Sequence, residues 1–204
     1  MSAKKRTAIL ISGRGSNMEA LVEAAKAPDY PAEIALVFSN KADAAGLSFA
    51  AKAGIPTLVV SHKDFASREA FDEAINAALA KAKIDIVCLA GFMRILSAPF
   101  TKKWEGRMLN IHPSLLPLFK GVHVHEQALA AGVRVSGCTV HFALADLDAG
   151  PIVAQAAVPV LTGDTPDSLA ARVLVQEHRI YPEALRMLAS GEVRLEAGRA
   201  VFAR

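Results

Sequence analysis

The chain has 204 residues, of which 52% are hydrophobic and 21% are charged, and its formal net charge is only +3. This length and composition fit a single domain with a sizeable core. A small positive balance without a long basic run predicts no nucleic-acid partner, although it weakly favours anionic small molecules. The apolar stretch near the N-terminus, residues 7–12, is too short for a secretory signal or a membrane span, so we expect a cytoplasmic protein without a membrane partner.

Short apolar runs alternate with helical patterns through the first half of the chain. The runs are rich in Val, Ile and Leu and lack strict alternation, which is typical of strands buried on both faces of a parallel sheet. Between the third and fourth runs, Phe71, Ile75 and Leu79 recur at the spacing of one helix face. The predicted strands of this part are residues 7–12, 33–39, 56–61, 85–92 and 107–112.

The pattern changes after about residue 133. Residues 136–144 and 151–161 are predicted strands with only a short loop between them, which favours antiparallel pairing. A long helix over about 165–189 follows, and 193–195 with 200–202 form a candidate hairpin. We predict an α/β fold: a Rossmann-like, mostly parallel sheet flanked by helices, with antiparallel strands and a long helix in the C-terminal part. In such sheets the ligand crevice lies at the carboxyl ends of the strands.

The first predicted strand runs directly into a glycine-rich turn, Ser12-Gly13-Arg14-Gly15-Ser16-Asn17. A helix that begins at such a turn presents unpaired backbone N–H groups and its positive dipole end to an anion. Met18 stands where the dinucleotide fingerprint requires a third glycine, so a single phosphate is the better match. An ordinary tight turn with Ser16 as the N-cap explains the same residues equally well, and both interpretations remain open.

A second polar group follows the fifth predicted strand. Alternation along the strand places Asn110 and His112 on the same side of the chain, and Pro113 keeps the strand end extended. Asp148 lies in a loop that can return to this place, where a carboxylate would orient His112 and favour its protonated form. An imidazolium and an amide N–H together can stabilise an oxyanion. The alternative is a structural histidine and a turn aspartate.

Three further features are candidates for ligand binding, and each of them also has a purely structural explanation. Residues 91–96 end the fourth strand and can line a slot for a flat ligand, or can be core. Arg68 near a helix start opposes the helix dipole and suits an anionic partner, or is a solvated surface residue. Glu177 falls on the inward stripe of the long helix, so it meets a ligand or pairs with an internal cation. Neither the histidines nor the buried-type cysteines, Cys88 and Cys138, have the spacing of a metal site.

Over nearly its whole length the chain resembles the phosphoribosylglycinamide formyltransferase family. The order and spacing of six motifs are specific, whereas each motif alone is not. The motifs are Ile11-Ser12-Gly13-Arg14-Gly15-Ser16-Asn17, Phe38-Ser39-Asn40-Lys41, Ser67-Arg68-Glu69, Leu89-Ala90-Gly91-Phe92-Met93-Arg94-Ile95-Leu96, Asn110-Ile111-His112-Pro113-Ser114-Leu115-Leu116-Pro117 and Leu147-Asp148-Ala149-Gly150-Pro151.

The resemblance implies a role for each matching residue. Asn110, His112 and Asp148 carry the chemistry, and Gly15, Ser16, Asn17 and Glu177 bind the ribonucleotide. The co-substrate is 10-formyltetrahydrofolate, and no metal is implied. The folate-binding residues implied are Arg68, Met93, Arg94, Ile95, Leu96, Asn110, Leu144, Ala145, Asp146, Leu147 and Asp148. Departures from the family pattern at Lys120, Val122 and Ala149 affect local loop geometry only.

The resemblance also sets the expected activity and its rivals. It implies transfer of a formyl group from the folate to the amine of glycinamide ribonucleotide, in purine synthesis. One domain over 1–204 is expected, with a phosphate-binding half to about 100 and a folate and catalytic half from about 101. The rivals are a formyltetrahydrofolate deformylase, a methionyl-tRNA formyltransferase and a regulator without catalysis. The first two would carry a further domain, and the third would not need Asn110, His112 and Asp148.

A monomer or a homodimer is expected, and Leu116–Pro117 is a candidate cis peptide.

Overall fold

The structure is a computed structural model that describes residues 3–203. Its main sheet has seven strands, and the Val, Ile and Leu runs of the sequence form most of them. The strands are β1 (Lys5–Ile11), β2 (Ala32–Ser39), β3 (Thr57–Val59), β4 (Ile86–Leu89), β5 (Met108–His112), β6 (Val135–Phe142) and β7 (Ile152–Pro159). The helices are α1 (Ser16–Ala25), α2 (Gly46–Lys52), α3 (Arg68–Lys81), α4 (Ala98–Lys103), α5 (Val124–Ala130) and α6 (Pro166–Ser190).

The order of the strands in the sheet is β3-β2-β1-β4-β5-β6-β7. The first five are parallel to one another, and β6 is antiparallel to both β5 and β7. The antiparallel pairing of β6 with β7 was predicted. A separate hairpin, β8 (Val193–Glu196) and β9 (Arg199–Phe202), follows α6. The chain winds away from β1 in both directions, so the strand order reverses between β1 and β4. A crevice opens at the carboxyl ends of the strands at such a point.

Two apolar layers cover the sheet. On one face, α1 and α6 pack together, and Leu169, Val173 and Ile180 of α6 are buried there. On the other face, α3 contributes Phe71 and Ile75, both almost fully buried. Each such side chain stabilises the fold by roughly 1.5–3 kcal/mol through removal of apolar surface from water. The α/β prediction is therefore confirmed.

The long helix α6 begins and ends with strong local signals. Thr165 and Ser168 form a reciprocal capping box, Pro166 occupies the first turn, and Gly191 ends the helix in a left-handed conformation with φ 80°. These bounds differ by one residue from the predicted helix. The inward orientation predicted for Glu177 is confirmed, since this residue is only 6% exposed.

Some predicted boundaries are wrong. The fourth strand ends at Leu89 rather than at 92, because Gly91 adopts φ 73° and turns the chain. The third strand is limited to Thr57–Val59, and it lies at the sheet edge with a single neighbour. The predicted cis peptide at Leu116–Pro117 is confirmed. Within residues 3–203, no helix is long and apolar enough to cross a membrane.

Candidate active site

The crevice at the carboxyl ends of β1, β4 and β5 contains three adjoining cavities. The central cavity has a volume of about 550 Å³, which is within the usual range for a small-molecule site. Its polar walls include Asn110, His112 and Asp148, and its apolar walls include Met93 and Ile95. A second cavity adjoins the turn between β1 and α1, and a third lies beside the loop after β6.

The turn after β1 keeps its backbone donors free of side-chain caps. The N-cap of α1 is Gly15, with φ 78°, and no described side chain accepts a hydrogen bond from the first turn. The alternative that Ser16 caps the helix is therefore wrong. A Cβ at Gly15 would lie 2.9 Å from Met18 Cε and 3.1 Å from Gly46 Cα, so a close approach of α2 also requires glycine here. The turn has the form of an anion-binding helix N-terminus, and the cavity beside it is lined by the backbone and side chains of residues 12–17.

Glu177 projects from α6 toward this turn. Its Oε2 accepts a hydrogen bond of 2.8 Å from Asn17 Nδ2, across a separation of 160 residues in sequence. Burial raises the pKa of Glu177, and the bond from Asn17 partly opposes that shift. The sequence also allowed Glu177 to pair with an internal Lys or Arg. Among the described residues this alternative is wrong, because the partner of Glu177 is Asn17. The buried Asn17 Oδ1 has no protein partner in the described structure, so polar capacity remains for a ligand.

The three residues predicted to carry the chemistry are brought together. His112 and Asp148 are 4% and 7% exposed, and His112 Nδ1 lies 3.4 Å from Asp148 Oδ2. The same Asp148 oxygen accepts a hydrogen bond of 2.9 Å from the Gly121 N–H, which anchors the carboxylate. Asp148 adopts φ 48°, a left-handed conformation that aspartate tolerates better than most residues. Asn110 precedes His112 on β5 and faces the same cavity.

Both ring nitrogens of His112 face acceptors. Nε2 lies 2.8 Å from the carbonyl oxygen of Phe119, and Nδ1 faces Asp148. Since a carbonyl and a carboxylate only accept hydrogen bonds, a ring that carries both protons satisfies both partners. Such an imidazolium beside the Asn110 amide is suited to stabilise negative charge on a carbonyl oxygen.

The two predicted folate-binding segments face each other across the third cavity. Arg94, Ile95 and Leu96 lie on one side, and the residues from Leu144 to Asp148 lie on the other. Met93 and Ile95 are 68% and 57% exposed, although both are large and apolar. Arg68 is not brought to these cavities: it is the exposed first residue of α3, directly after the N-cap Ser67.

Sequence reasoning assigned no role to Ser12, Asn40 or His141. Ser12 Oγ donates to Asn40 Oδ1 at 2.6 Å and accepts from the Met93 N–H at 2.8 Å, so it connects the phosphate-type turn to the apolar segment. His141 Nε2 lies 3.1 Å from Asn110 Nδ2. Ser12 and Asn40 each belonged to a recognised motif, which was the available signal for these two residues. The place of His141 depends on the register of β5 with β6, which the sequence pattern does not determine.

No cluster of His, Cys, Asp or Glu side chains within the described range has the arrangement of a metal site. The arrangement that is present consists of an anion-type turn, an apolar slot and an oxyanion-stabilising pair in one crevice. These are the requirements for transfer of an acyl-type group between an anionic acceptor and a flat donor.

Comparison with known proteins agrees with this chemistry. Residues 5–185 match the family model described as formyl transferase. The chain is 47% identical over 187 residues to the phosphoribosylglycinamide formyltransferase of Escherichia coli, covering 92% of this chain and 88% of the relative. A crystal structure of glycinamide ribonucleotide transformylase 1 from Symbiobacterium toebii superposes with a TM-score of 0.96 at 45% identity, covering 100% of this chain and 96% of that one. The chain therefore belongs to the formyl transferase family.

A longer relative has higher identity. The trifunctional purine biosynthetic protein adenosine-3 of Bos taurus is 59% identical over 197 residues, which cover 96% of this chain. The chain spans 20% of the length of that relative. The resemblance to phosphoribosylglycinamide formyltransferases is thus confirmed at the level of the family.

Proposed function

We propose that this chain is an enzyme that transfers the formyl group of 10-formyltetrahydrofolate to the amine of N1-(5-phosphoribosyl)glycinamide. The products are formylglycinamide ribonucleotide and tetrahydrofolate, in de novo purine synthesis. The observation that carries the proposal is the convergence of Asn110, His112 and Asp148 on a cavity of about 550 Å³ between the turn after β1 and the apolar slot. Small molecules are the expected partners of a cytoplasmic monomer or homodimer, with no nucleic acid or membrane involved.

The ribonucleotide is proposed to bind in the N-terminal half, residues 1–100, with one contact from α6. Its phosphate meets the backbone N–H groups of Gly15, Ser16 and Asn17, where the positive end of the α1 dipole favours an anion. The Glu177 carboxylate accepts hydrogen bonds from sugar hydroxyls or from the glycinamide nitrogen. Both halves then act as one domain, because Asn17 and Glu177 already join them directly.

The folate is proposed to bind in the C-terminal half, from about residue 101, against the segment 93–96. Arg94, Ile95 and Leu96 form one wall of the slot, and Leu144, Ala145, Asp146 and Leu147 form the other. Exposed Met93 and Ile95 supply apolar surface for a flat ring. Arg68 lies outside the cavities, and it is proposed to meet the charged distal end of a folate that extends past them.

The reaction forms a bond between the substrate amine nitrogen and the formyl carbon, and breaks the bond from that carbon to the folate nitrogen. Negative charge develops on the formyl oxygen, where the Asn110 amide and His112 Nε2–H donate hydrogen bonds. A formyl oxygen at Nε2 has to replace the Phe119 carbonyl as the acceptor. Asp148 stabilises the imidazolium through Nδ1, and the proton lost by the new ammonium reaches the departing folate nitrogen through water.

A turnover assay with both substrates tests the proposal. Formyl transfer to the ribonucleotide, with stoichiometric release of tetrahydrofolate, is the expected result. Consumption of 10-formyltetrahydrofolate by water alone would identify a deformylase instead, and binding without turnover would identify a regulator. The identity to a named phosphoribosylglycinamide formyltransferase over most of both chains supports transfer over these alternatives.

A further inference from the structure

His141 lies behind the proposed catalytic residues, on the strand that pairs with theirs. It is directly opposite Asn110 in the antiparallel pairing of β5 and β6, and it is only 2% exposed. Its ring makes two hydrogen bonds within the protein. Nδ1 lies 2.9 Å from the carbonyl oxygen of Phe142, and Nε2 lies 3.1 Å from Asn110 Nδ2.

These two contacts determine which ring nitrogen carries the proton. A backbone carbonyl oxygen only accepts hydrogen bonds, so Nδ1 must be the donor. Burial lowers the pKa of His141 and so favours the neutral ring, while the Phe142 carbonyl and Asp148, whose Oδ1 lies 3.8 Å from Nε2, act in the opposite direction. Asn110 Nδ2 is the nearer partner of Nε2, at 3.1 Å. A neutral ring protonated at Nδ1 has a lone pair at Nε2, and that lone pair accepts a hydrogen bond from the Asn110 amide.

The orientation of the Asn110 amide then follows. If the amide were reversed, its oxygen would face the lone pair of His141 Nε2, and two acceptors would oppose each other. With the NH₂ group toward His141, one of its two hydrogens is bound by Nε2. The geometry of a planar amide directs the second hydrogen away from the histidine. Asn110 lines the central cavity, so this second donor is available to a ligand there.

The backbone around His141 is shaped to keep the Phe142 carbonyl in place. The pairing register of β6 with β7 shifts between Val140 and His141, a bulge of the kind that re-aims side chains. A Cβ at Gly150 would lie 1.7 Å from the Phe142 oxygen and 3.2 Å from His141 Nδ1. Any side chain at position 150 would therefore displace the carbonyl that selects the tautomer.

We propose that His141 is a positioning residue: it accepts one Asn110 amide hydrogen so that the other points at the developing oxyanion. The inference deepens the proposed formyl transfer and depends on it for its catalytic consequence. The tautomer itself is a property of the protein alone, so it can be tested independently of turnover.

The first test is nitrogen-15 NMR of the uniformly labelled wild-type protein at neutral pH. The expected result is that His141 has a protonated Nδ1 and an unprotonated Nε2, with slow exchange of the Nδ1 proton. Protonation at Nε2, or at both nitrogens, would overturn the inference even if the protein transfers formyl groups normally. Conversely, an inactive protein with the expected tautomer would refute the proposed function and not the tautomer.

The second test is a double-mutant cycle between positions 141 and 110. His141→Leu removes the acceptor at similar volume, and His141→Gln retains one. We expect His141→Leu to lower kcat by roughly tenfold to hundredfold with little change in either KM, since a displaced donor is lost mainly from the transition state. Partial recovery is expected in His141→Gln.

The decisive comparison is with Asn110→Ala as the background. If His141 acts through Asn110, His141→Leu changes kcat little in a chain that already lacks the amide. Equal fold-losses in both backgrounds would overturn the inference and assign His141 a role in stability alone. Thermal unfolding of each variant gives the folded fraction by which kcat is corrected, and the NMR test decides the question if the leucine variant does not fold.

Discussion

At the scale of single residues, the pair His112–Asp148 carries the proposed chemistry. The 3.4 Å separation of His112 Nδ1 and Asp148 Oδ2 is longer than a charge-assisted hydrogen bond, which is typically about 2.7–2.9 Å. Active-site hydrogen bonds often shorten only when the substrate or transition state is bound. The Gly121 N–H holds the carboxylate, so the two groups stay in reach of each other.

His112→Ala and Asp148→Asn are expected to fold normally and to lose most of their turnover. Removal of an oxyanion donor typically lowers the rate by about 100- to 1,000-fold, and the asparagine variant no longer stabilises the imidazolium. Steady-state kinetics with both substrates measure the loss, and circular dichroism verifies the fold. Near-normal turnover in both variants would show that this pair is structural.

Glu177→Gln is expected to weaken ribonucleotide binding and to leave folate binding nearly unchanged. The carboxylate faces the turn after β1, and the loss of one charged hydrogen bond costs about 1.5–3 kcal/mol, which corresponds to roughly tenfold to hundredfold in affinity. Calorimetric titration of each ligand measures the two affinities. Equal weakening of both ligands would assign Glu177 a structural role.

The same substitution is expected to make the free protein more stable at neutral pH. The pKa of Glu177 is raised in the folded state, so its contribution to stability is present below the unfolded pKa and is lost as pH rises through the folded pKa. The glutamine variant lacks this loss and can still accept the bond from Asn17. Urea denaturation at pH 5 and pH 8 should show an advantage for Glu177→Gln that is larger at pH 8. A variant less stable than the wild type at both pH values would contradict this explanation.

At the scale of elements, α6 connects the turn after β1 with the strands of the core. Its inward side supplies Glu177 to the turn after β1. One turn later, the Tyr181 hydroxyl lies 3.0 Å from the carbonyl of Leu89 and 3.2 Å from that of Leu109. Leu89 is the last residue of β4, and Leu109 is the second residue of β5, directly before Asn110. The helix therefore holds two neighbouring strands, β4 and β5, in place as well as covering the sheet.

Thr165→Ala is expected to destabilise the protein by about 0.5–2 kcal/mol, because it removes the N-cap of α6. The Thr165 hydroxyl accepts from the Ser168 N–H at 3.2 Å, and Ser168 Oγ accepts from the Thr165 N–H at 2.9 Å. Thr165→Ser retains the hydroxyl and serves as the matched control. Urea unfolding measures the difference, and turnover per folded molecule should stay unchanged. Equal stability of the alanine and serine variants would show that the cap contributes nothing.

At the scale of the whole molecule, three histidines make stability depend on pH near neutrality. Burial lowers the pKa of His125, His141 and His178, so the unfolded chain binds protons more readily than the folded protein. Their contribution is present above the unfolded pKa of about 6.5 and is lost as pH falls through the folded pKa values. Glu177 has the opposite effect on stability. Because its pKa is raised, its contribution to stability is lost as pH rises through its folded pKa.

We therefore expect the midpoint of urea unfolding to fall between pH 7.5 and pH 5.5. His178→Gln should reduce this dependence, since His178 is half-buried and its Nε2 has no protein partner in the described structure. His123→Gln is the matched control, because the His123 side chain is 76% exposed. A midpoint that does not change with pH, or that changes equally in both variants, would refute the assignment to these three histidines.

Much of the fold and part of the site follow from local patterns in the sequence. Apolar runs without alternation predicted the parallel strands, and helical spacing predicted that Glu177 faces inward. Strand alternation placed Asn110 and His112 toward one side. The glycine-rich turn indicated either an anion-binding helix N-terminus or an ordinary turn capped by Ser16, and the structure excludes the second. These features depend on the periodicity and conformational limits of neighbouring residues, which the sequence alone determines.

The tertiary structure decided the contacts that join distant segments. Glu177 meets Asn17 because α6 packs on α1, and Ser12 meets Asn40 and Met93 because three strand ends converge. His141 faces Asn110 because β5 and β6 pair in one register, and a shift of one residue would turn its side chain to the other face of the sheet. Register and helix packing are set by the fit of the whole core rather than by local propensity, so no pattern near His141 indicated its place behind Asn110.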